Sequence, residues 1–223
     1  MKFTKDITEN LNKYYELIKN LNQKLNLISK NEESIFFDKH IVDSIEISKL
    51  INPKQEQKLI DLGSGGGVPG IPIAIEYPQI DIVLLDSTNK KIEALNQIIT
   101  ELDLKNTKTA CGRIEELAHE KNFRESFDFV TAKALAELPT LLEYSIPFLK
   151  IGGQLFAYKG PNYEEEITKS ENALKILNSK IIKIHKYELT NNLGSRAIIV
   201  IEKTAKTLGI YPRITGIPLK KPL

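Results

Sequence analysis

The chain has 223 residues, with 31 Lys+Arg against 29 Asp+Glu and a single cysteine. That length suits one medium domain with a small appendage, and the near-neutral balance leaves any nucleic-acid contact to a local basic patch rather than to bulk charge. The lone Cys111 excludes an internal disulfide and a cysteine-built zinc or iron–sulfur site, and no apolar run is long enough to span a membrane, so a soluble cytoplasmic protein is expected.

From Ile7 the apolar residues Ile7, Leu11, Tyr14, Ile18, Leu21, Leu25 and Ile28 recur in steps of four and three, which predicts one amphipathic helix. A dimerising coiled coil is the alternative for this pattern, but the absence of regular flanking charge pairs favours packing onto the chain's own domain. After the polar break Asn31-Glu32-Glu33-Ser34, a second helix is expected with Phe37, Ile41, Ser44 or Ile45, Ser48 and Ile51 on one side, closed by Pro53. Residues 1–53 are therefore read as a helical lid. Residues 54–203 alternate strand and helix patterns. Strands are expected at 58–62, 81–85, 107–111, 127–132, 154–158, 181–185 and 197–202, with helices at 90–102 and 135–149. This alternation predicts an α/β Rossmann-like fold, a mostly parallel seven-stranded sheet with helices on both faces. Asn191-Asn192-Leu193-Gly194 reads as a hairpin turn that makes one edge antiparallel. Residues 204–223 form a proline-spaced basic arm without an acid.

Ligands of open parallel sheets sit beyond the carboxyl ends of the strands, where strand order reverses. The first such end is "DLGSGGGVPG", residues 61–70. Gly65-x-Gly67-x-x-Gly70 matches a dinucleotide fingerprint, which alone is weak. A plain βα turn needs one or two glycines, whereas five in eight residues let backbone N–H groups approach a ligand closely. Asp86, ending the second strand, is placed to accept both hydroxyls of a ribose, or to cap the next helix. Asp61, two residues before Gly63 and four before Gly65, would repel a pyrophosphate but suits the cationic methionine end of S-adenosyl-L-methionine. After the third strand, Ile114 and Glu115 can flank an adenine and bond its exocyclic amine; the alternative is an ordinary acid at a helix start.

The segments "LNQKLNLIS", "KHIVDS", "LIDLGSGGGVPGIPIAI", "LLDSTNKK", "GRIEEL", "TAKALAEL", "AYKG" and "YPRITGIP" together resemble the bacterial 16S ribosomal RNA (guanine-N7) methyltransferases called RsmG or GidB, along essentially the whole chain. The resemblance implies S-adenosyl-L-methionine as cofactor, with contacts at Gly63, Val68, Asp86, Ile114 and Glu115 and with Lys133 beside the methyl-transfer site. It also implies an enzyme acting on 16S ribosomal RNA or the small ribosomal subunit. The family shows arginine where this chain has Lys39 and Lys133, and tryptophan where it has Leu21. Lysine keeps the charge and loses the planar bidentate fork.

Guanine N7 carries an exposed lone pair and loses no proton on methylation, so no catalytic acid or base is expected and positioning suffices. His40 and Asp43, one turn apart in the lid, are candidates to orient the base, or simply pack at the seam. Methylation of an adenine or cytosine amino group would call for an Asn/Asp-Pro-Pro-aromatic element after the fourth strand, where the chain has Thr131-Ala132-Lys133-Ala134-Leu135. Carbon methylation of a pyrimidine would need a placed cysteine, and Cys111, inside the third strand, reads as a small buried hydrophobe. RNA contact is expected from Lys159 and from the arm beginning at Lys203, with Tyr211 stacking beside Arg213. The competing readings are a methyltransferase acting on a small molecule and a non-catalytic NAD-binding regulatory protein. A monomer without a metal is expected.

Overall fold

The computed structural model describes residues 4–25 and 27–223; residues 1–3 and 26 of the expected lid lie outside them. Helix α1 (Lys5–Leu25) follows the apolar stripe, with Leu11, Tyr14 and Ile18 buried against the domain. The next segment is helical but irregular. A 3-10 turn occupies Lys30–Ile35, where the polar break was expected, followed by a π turn at Phe37–Ile41, α2 (Val42–Ile45) and a second 3-10 turn at Glu46–Lys49.

Seven strands follow: β1 (Lys58–Leu62), β2 (Asp81–Asp86), β3 (Thr107–Cys111), β4 (Phe127–Lys133), β5 (Leu149–Lys159), β6 (Ser179–Glu188) and β7 (Ser195–Lys203). Between and after them lie α3 (Gly70–Glu76), α4 (Asn89–Glu101), α5 (Ile114–Leu117), α6 (Leu138–Ser145), α7 (Tyr163–Lys169), α8 (Glu171–Ile176) and α9 (Ile217–Lys220). The expected helix at 135–149 is shorter because Glu137 is extended, while a 3-10 turn with Pro147 ends it and Leu149 already pairs with Phe127.

The sheet order is β3-β2-β1-β4-β5-β7-β6. β1 to β5 are parallel, while β7 runs antiparallel to both β5 and β6. Strand order reverses between β1 and β4, which puts a ligand crevice at their carboxyl ends. Alternating strand residues feed two cores. Leu59, Ile82, Leu84, Phe129 and Phe156 pack under α1, the lid turns, α3 and α4, while Ile60, Leu62, Val83, Leu85 and Val130 pack under α5 and α6. The lid segment thus shares one apolar core with α3 and α4.

Two expectations change. Cys111 is exposed, because it ends the edge strand β3, where no further strand covers it, and its thiol donates to Asn89 Oδ1 at 2.9 Å. Lys203 is not part of a free arm: it closes β7, is 0% exposed, and donates to Glu125 Oε1 (2.8 Å) and Ile146 O (3.2 Å).

Candidate active site

The glycine loop is shaped from beneath. Asp61 is fully buried and accepts from Gly70 N (3.2 Å) and Thr131 Oγ1 (2.9 Å). Burial pushes its pKa up to about 7 against those hydrogen bonds. It therefore pins the loop to β1 and α3 and does not line the cavity, a correction to the contact expected with a ligand ammonium. Tyr14 of α1 donates to Gly66 O at 2.8 Å and clamps the loop from the lid side. Gly63 and Gly67 have positive φ, and a Cβ on Gly63 would sit 2.8 Å from Leu135 Cδ1. Both positions thus favour glycine for conformation, and at Gly67 a Cβ would also crowd Ile71, Leu95 and Tyr14. The Val68–Pro69 peptide is cis and Pro69 stands one residue before α3.

A cavity of about 320 Å³ opens beside this loop, lined by Gly63, Asp86, Arg113, Ile114, Glu115 and Tyr144 among others. Asp86 accepts Gly65 N (3.0 Å) and Thr88 N (2.9 Å). A carboxylate has about four lone-pair sites, so two remain for a diol. Glu115 accepts Gly216 N at 3.0 Å. Tyr144 lines the cavity with Glu115, and burial above all raises its pKa to about 12. Of the expected cofactor residues, Gly63, Asp86, Ile114 and Glu115 line this cavity. Gly65 stands behind Asp86 as its donor, and half-buried Val68 packs toward the α1 core.

Lys133 lies in a second cavity of about 410 Å³, with Glu32, Lys39, His40, Asp43, Tyr158, Lys159 and Arg196. Its Nζ is 2.7 Å from Asp43 Oδ2 and donates to His40 O at 3.3 Å. Burial lowers its pKa while Asp43 opposes the shift. Asp43 also accepts from Tyr187. His40 pairs with Glu32 at 3.2 Å rather than with Asp43, and its Nδ1 is buried without a partner. Burial, then the nearby Lys133 cation, pushes its pKa down to about 4, so the ring is neutral at neutral pH. Lys159 donates to Glu166 (2.6 Å) and to Ala136 O (2.7 Å). Ala134, held at φ 55° after β4, lines both cavities and is where they meet.

Tyr211 and Arg213 line neither of these cavities. Arg213 donates through N, Nε and Nη2 to Glu143, itself 0% exposed on α6, and Tyr211 O accepts from Arg124 at 2.9 Å. The guanidinium expected to track phosphate is thus engaged inside the domain. The sequence reading missed Tyr144 and Arg196. The signal for Arg196 was available: an antiparallel strand starts at the carboxyl edge of its parallel neighbour, and Ala197 pairs with Lys159. Among the described residues, no cluster of acids, histidines or cysteines forms a metal site, and no helix is long and apolar enough to cross a membrane.

A sheet of this order, with a glycine loop after β1 and an acid ending β2, defines a Rossmann-like methyltransferase. Similarity extends to the solved structure of M. jannaschii TYW2 in complex with AdoMet, at a TM-score of 0.53 and 16% identity over 72% of this chain and 74% of that one. The family model of GidB, rRNA small subunit methyltransferase G, matches residues 7–195, and the chain belongs to that family. It is 41% identical to the ribosomal RNA small subunit methyltransferase G of Streptococcus pneumoniae over 96% of this chain and 91% of that protein. Identity to the protein of the same name from Clostridium kluyveri is 41% over 95% and 88%.

Proposed function

We propose that this enzyme methylates N7 of a guanine in the decoding-region loop of 16S ribosomal RNA, using S-adenosyl-L-methionine. The observation that carries this reading is the pair of cavities that share Ala134, one lined by Gly63, Asp86 and Glu115 and the other by Lys39, Lys133, Lys159 and Arg196 together with Glu32 and Asp43. The residues fit the cofactor. Gly63 leaves space that a Cβ would close, Asp86 keeps lone pairs for the ribose, and Ile114 and Glu115 offer an apolar face and an acceptor to the adenine. When bound, S-adenosyl-L-methionine supplies an electrophilic methyl group on its sulfonium.

The chain's own part is placement. Lys133, tied to Asp43 and to the His40 carbonyl, fixes the seam between lid and β4 beside Ala134. Neutral His40 and paired Lys159 bound the space for the base. Nothing must take a proton from N7, and the gain comes from proximity and orientation. Arg196, which lines this cavity, supplies a charge for the RNA backbone. An rRNA substrate supports a cytoplasmic location.

The test is to incubate the protein with methyl-labelled S-adenosyl-L-methionine and unmethylated small subunits or naked rRNA, then map the label. Label on a single guanine N7 of 16S rRNA is expected. A folded, cofactor-binding protein that labels neither RNA would refute the substrate.

A further inference from the structure

We propose that the C-terminal tail is the positioning element of the adenine subsite: Arg213, Thr215 and Gly216 hold its acidic wall, so that Glu115 can read the exocyclic amine. This rests on the cofactor placement above. The wall is built from two elements. One is α5, a single turn of four residues that contributes Ile114 and Glu115; the other is α6, which contributes Tyr144. A helix of one turn does not hold its own orientation, because nucleation costs more than one turn of bonds returns.

The tail supplies what α5 lacks. Gly216 N donates to Glu115 Oε1 (3.0 Å), Thr215 Oγ1 to Glu116 Oε1 (3.3 Å), and Arg213 grips Glu143 through its backbone and guanidinium. Glu143 precedes Tyr144, which lines the cavity with Glu115, so both parts of the wall are tied to one stretch of tail through Glu143 and Glu115. The stretch is itself seated. Arg124 donates to the carbonyls of Thr207, Leu208 and Tyr211, His119 meets Pro212 O at 2.8 Å, and Thr140 donates to Pro218 O. An arm that waits for RNA would not be bound at this many points.

Gly216 shows what the site demands. A Cβ there would meet nothing within 4 Å, so space does not require glycine. Its φ of +84° does, and that conformation accompanies the N–H bond to Glu115. With one oxygen occupied by Gly216, the remaining lone pairs of Glu115 are oriented for a ligand amine.

The test compares binding of S-adenosylhomocysteine and S-inosylhomocysteine, which differ at the exocyclic position, by calorimetry on the full chain. The parent is expected to prefer the adenosyl ligand about tenfold, the worth of one hydrogen bond to a charged group. Gly216→Ala and Arg213→Ala should lose most of that preference through weaker adenosyl binding, with the inosyl affinity little changed. Gly209→Ala, in the same tail with open space around it and no wall contact, should keep the parent ratio. Gly216→Ala leaves the Arg213–Glu143 pair intact, so it tests the idea even where Arg213→Ala does not fold. A parent ratio retained in folded Gly216→Ala, or no preference in the parent, overturns the proposal. Failure of the parent to bind either ligand would overturn the cofactor placement itself, and the proposal with it.

Discussion

The two walls of the cleft neutralise their charges in opposite ways. On the cofactor side, carboxylates are met chiefly by backbone N–H groups, Asp61 by Gly70, Asp86 by Gly65 and Thr88, Glu115 by Gly216, with Lys91 farther off at 3.7 Å from Asp86 and the Thr131 hydroxyl on Asp61. On the other side, around Lys133, cations are met by side-chain carboxylates: Lys133 by Asp43, Lys159 by Glu166, Lys39 by Glu32. A backbone donor takes one lone pair and leaves the charge and the others available, so the first wall is both rigid and receptive. A side-chain ion pair cancels the charge it uses, so the second wall is shaped more than it is charged. Arg196 is the exception there, since among the described residues no carboxylate lies within ion-pair distance of it.

The sharpest way to break this comparison is at Lys133. Lys133→Ala would leave Asp43, 3% exposed, with Tyr187 as its one side-chain partner among the described residues. Removing one member of a buried pair costs about 3–5 kcal/mol, read as a lower urea midpoint at unchanged slope. Adding Asp43→Asn should recover part of that loss, a coupling a double-mutant cycle detects. Equal stability of Lys133→Ala and the parent would show that the pair holds nothing. On the other wall the expected effect is smaller and falls on binding. Asp86→Ala removes the ribose acceptor and frees the Gly65 and Thr88 donors, which should weaken S-adenosylhomocysteine about a hundredfold. Calorimetry giving parent affinity would take the ribose role from Asp86.

The asymmetry between the walls also explains what the sequence disclosed. β1 and β2 were legible as short apolar runs that end at Gly63 and Asp86, and the loop, Asp86, Ile114 and Glu115 followed from their place at strand ends. Their partners are local or backbone groups. Lys39 and Lys159 pair within seven residues, but the partners of the two cations that decide the reading are distant: Arg213 and Glu143 lie 70 residues apart, Lys133 and His40 lie 93 apart. A basic tail without acids therefore read as an RNA arm, when the carboxylate that holds Arg213 stood on α6. Cys111 failed for a related reason, since nothing in a strand pattern says which strand ends the sheet.

Arg196 offers the smallest effect and the cleanest separation. It stands at the start of β7, half-buried, with Nη1 donating to the Ser195 carbonyl at 2.8 Å, a contact whose loss exposes nothing in the core. Arg196→Gln should leave stability within about 0.5 kcal/mol of the parent and S-adenosylhomocysteine affinity unchanged. If its charge meets a phosphate, RNA affinity should fall several-fold, and the slope of log K against log salt should become shallower by about one. The paired Lys159 is the internal comparison. Its charge is already balanced by Glu166, so Lys159→Gln should change the salt slope much less. Equal slopes for the two variants would mean that pairing in the free protein does not decide which cations the RNA meets.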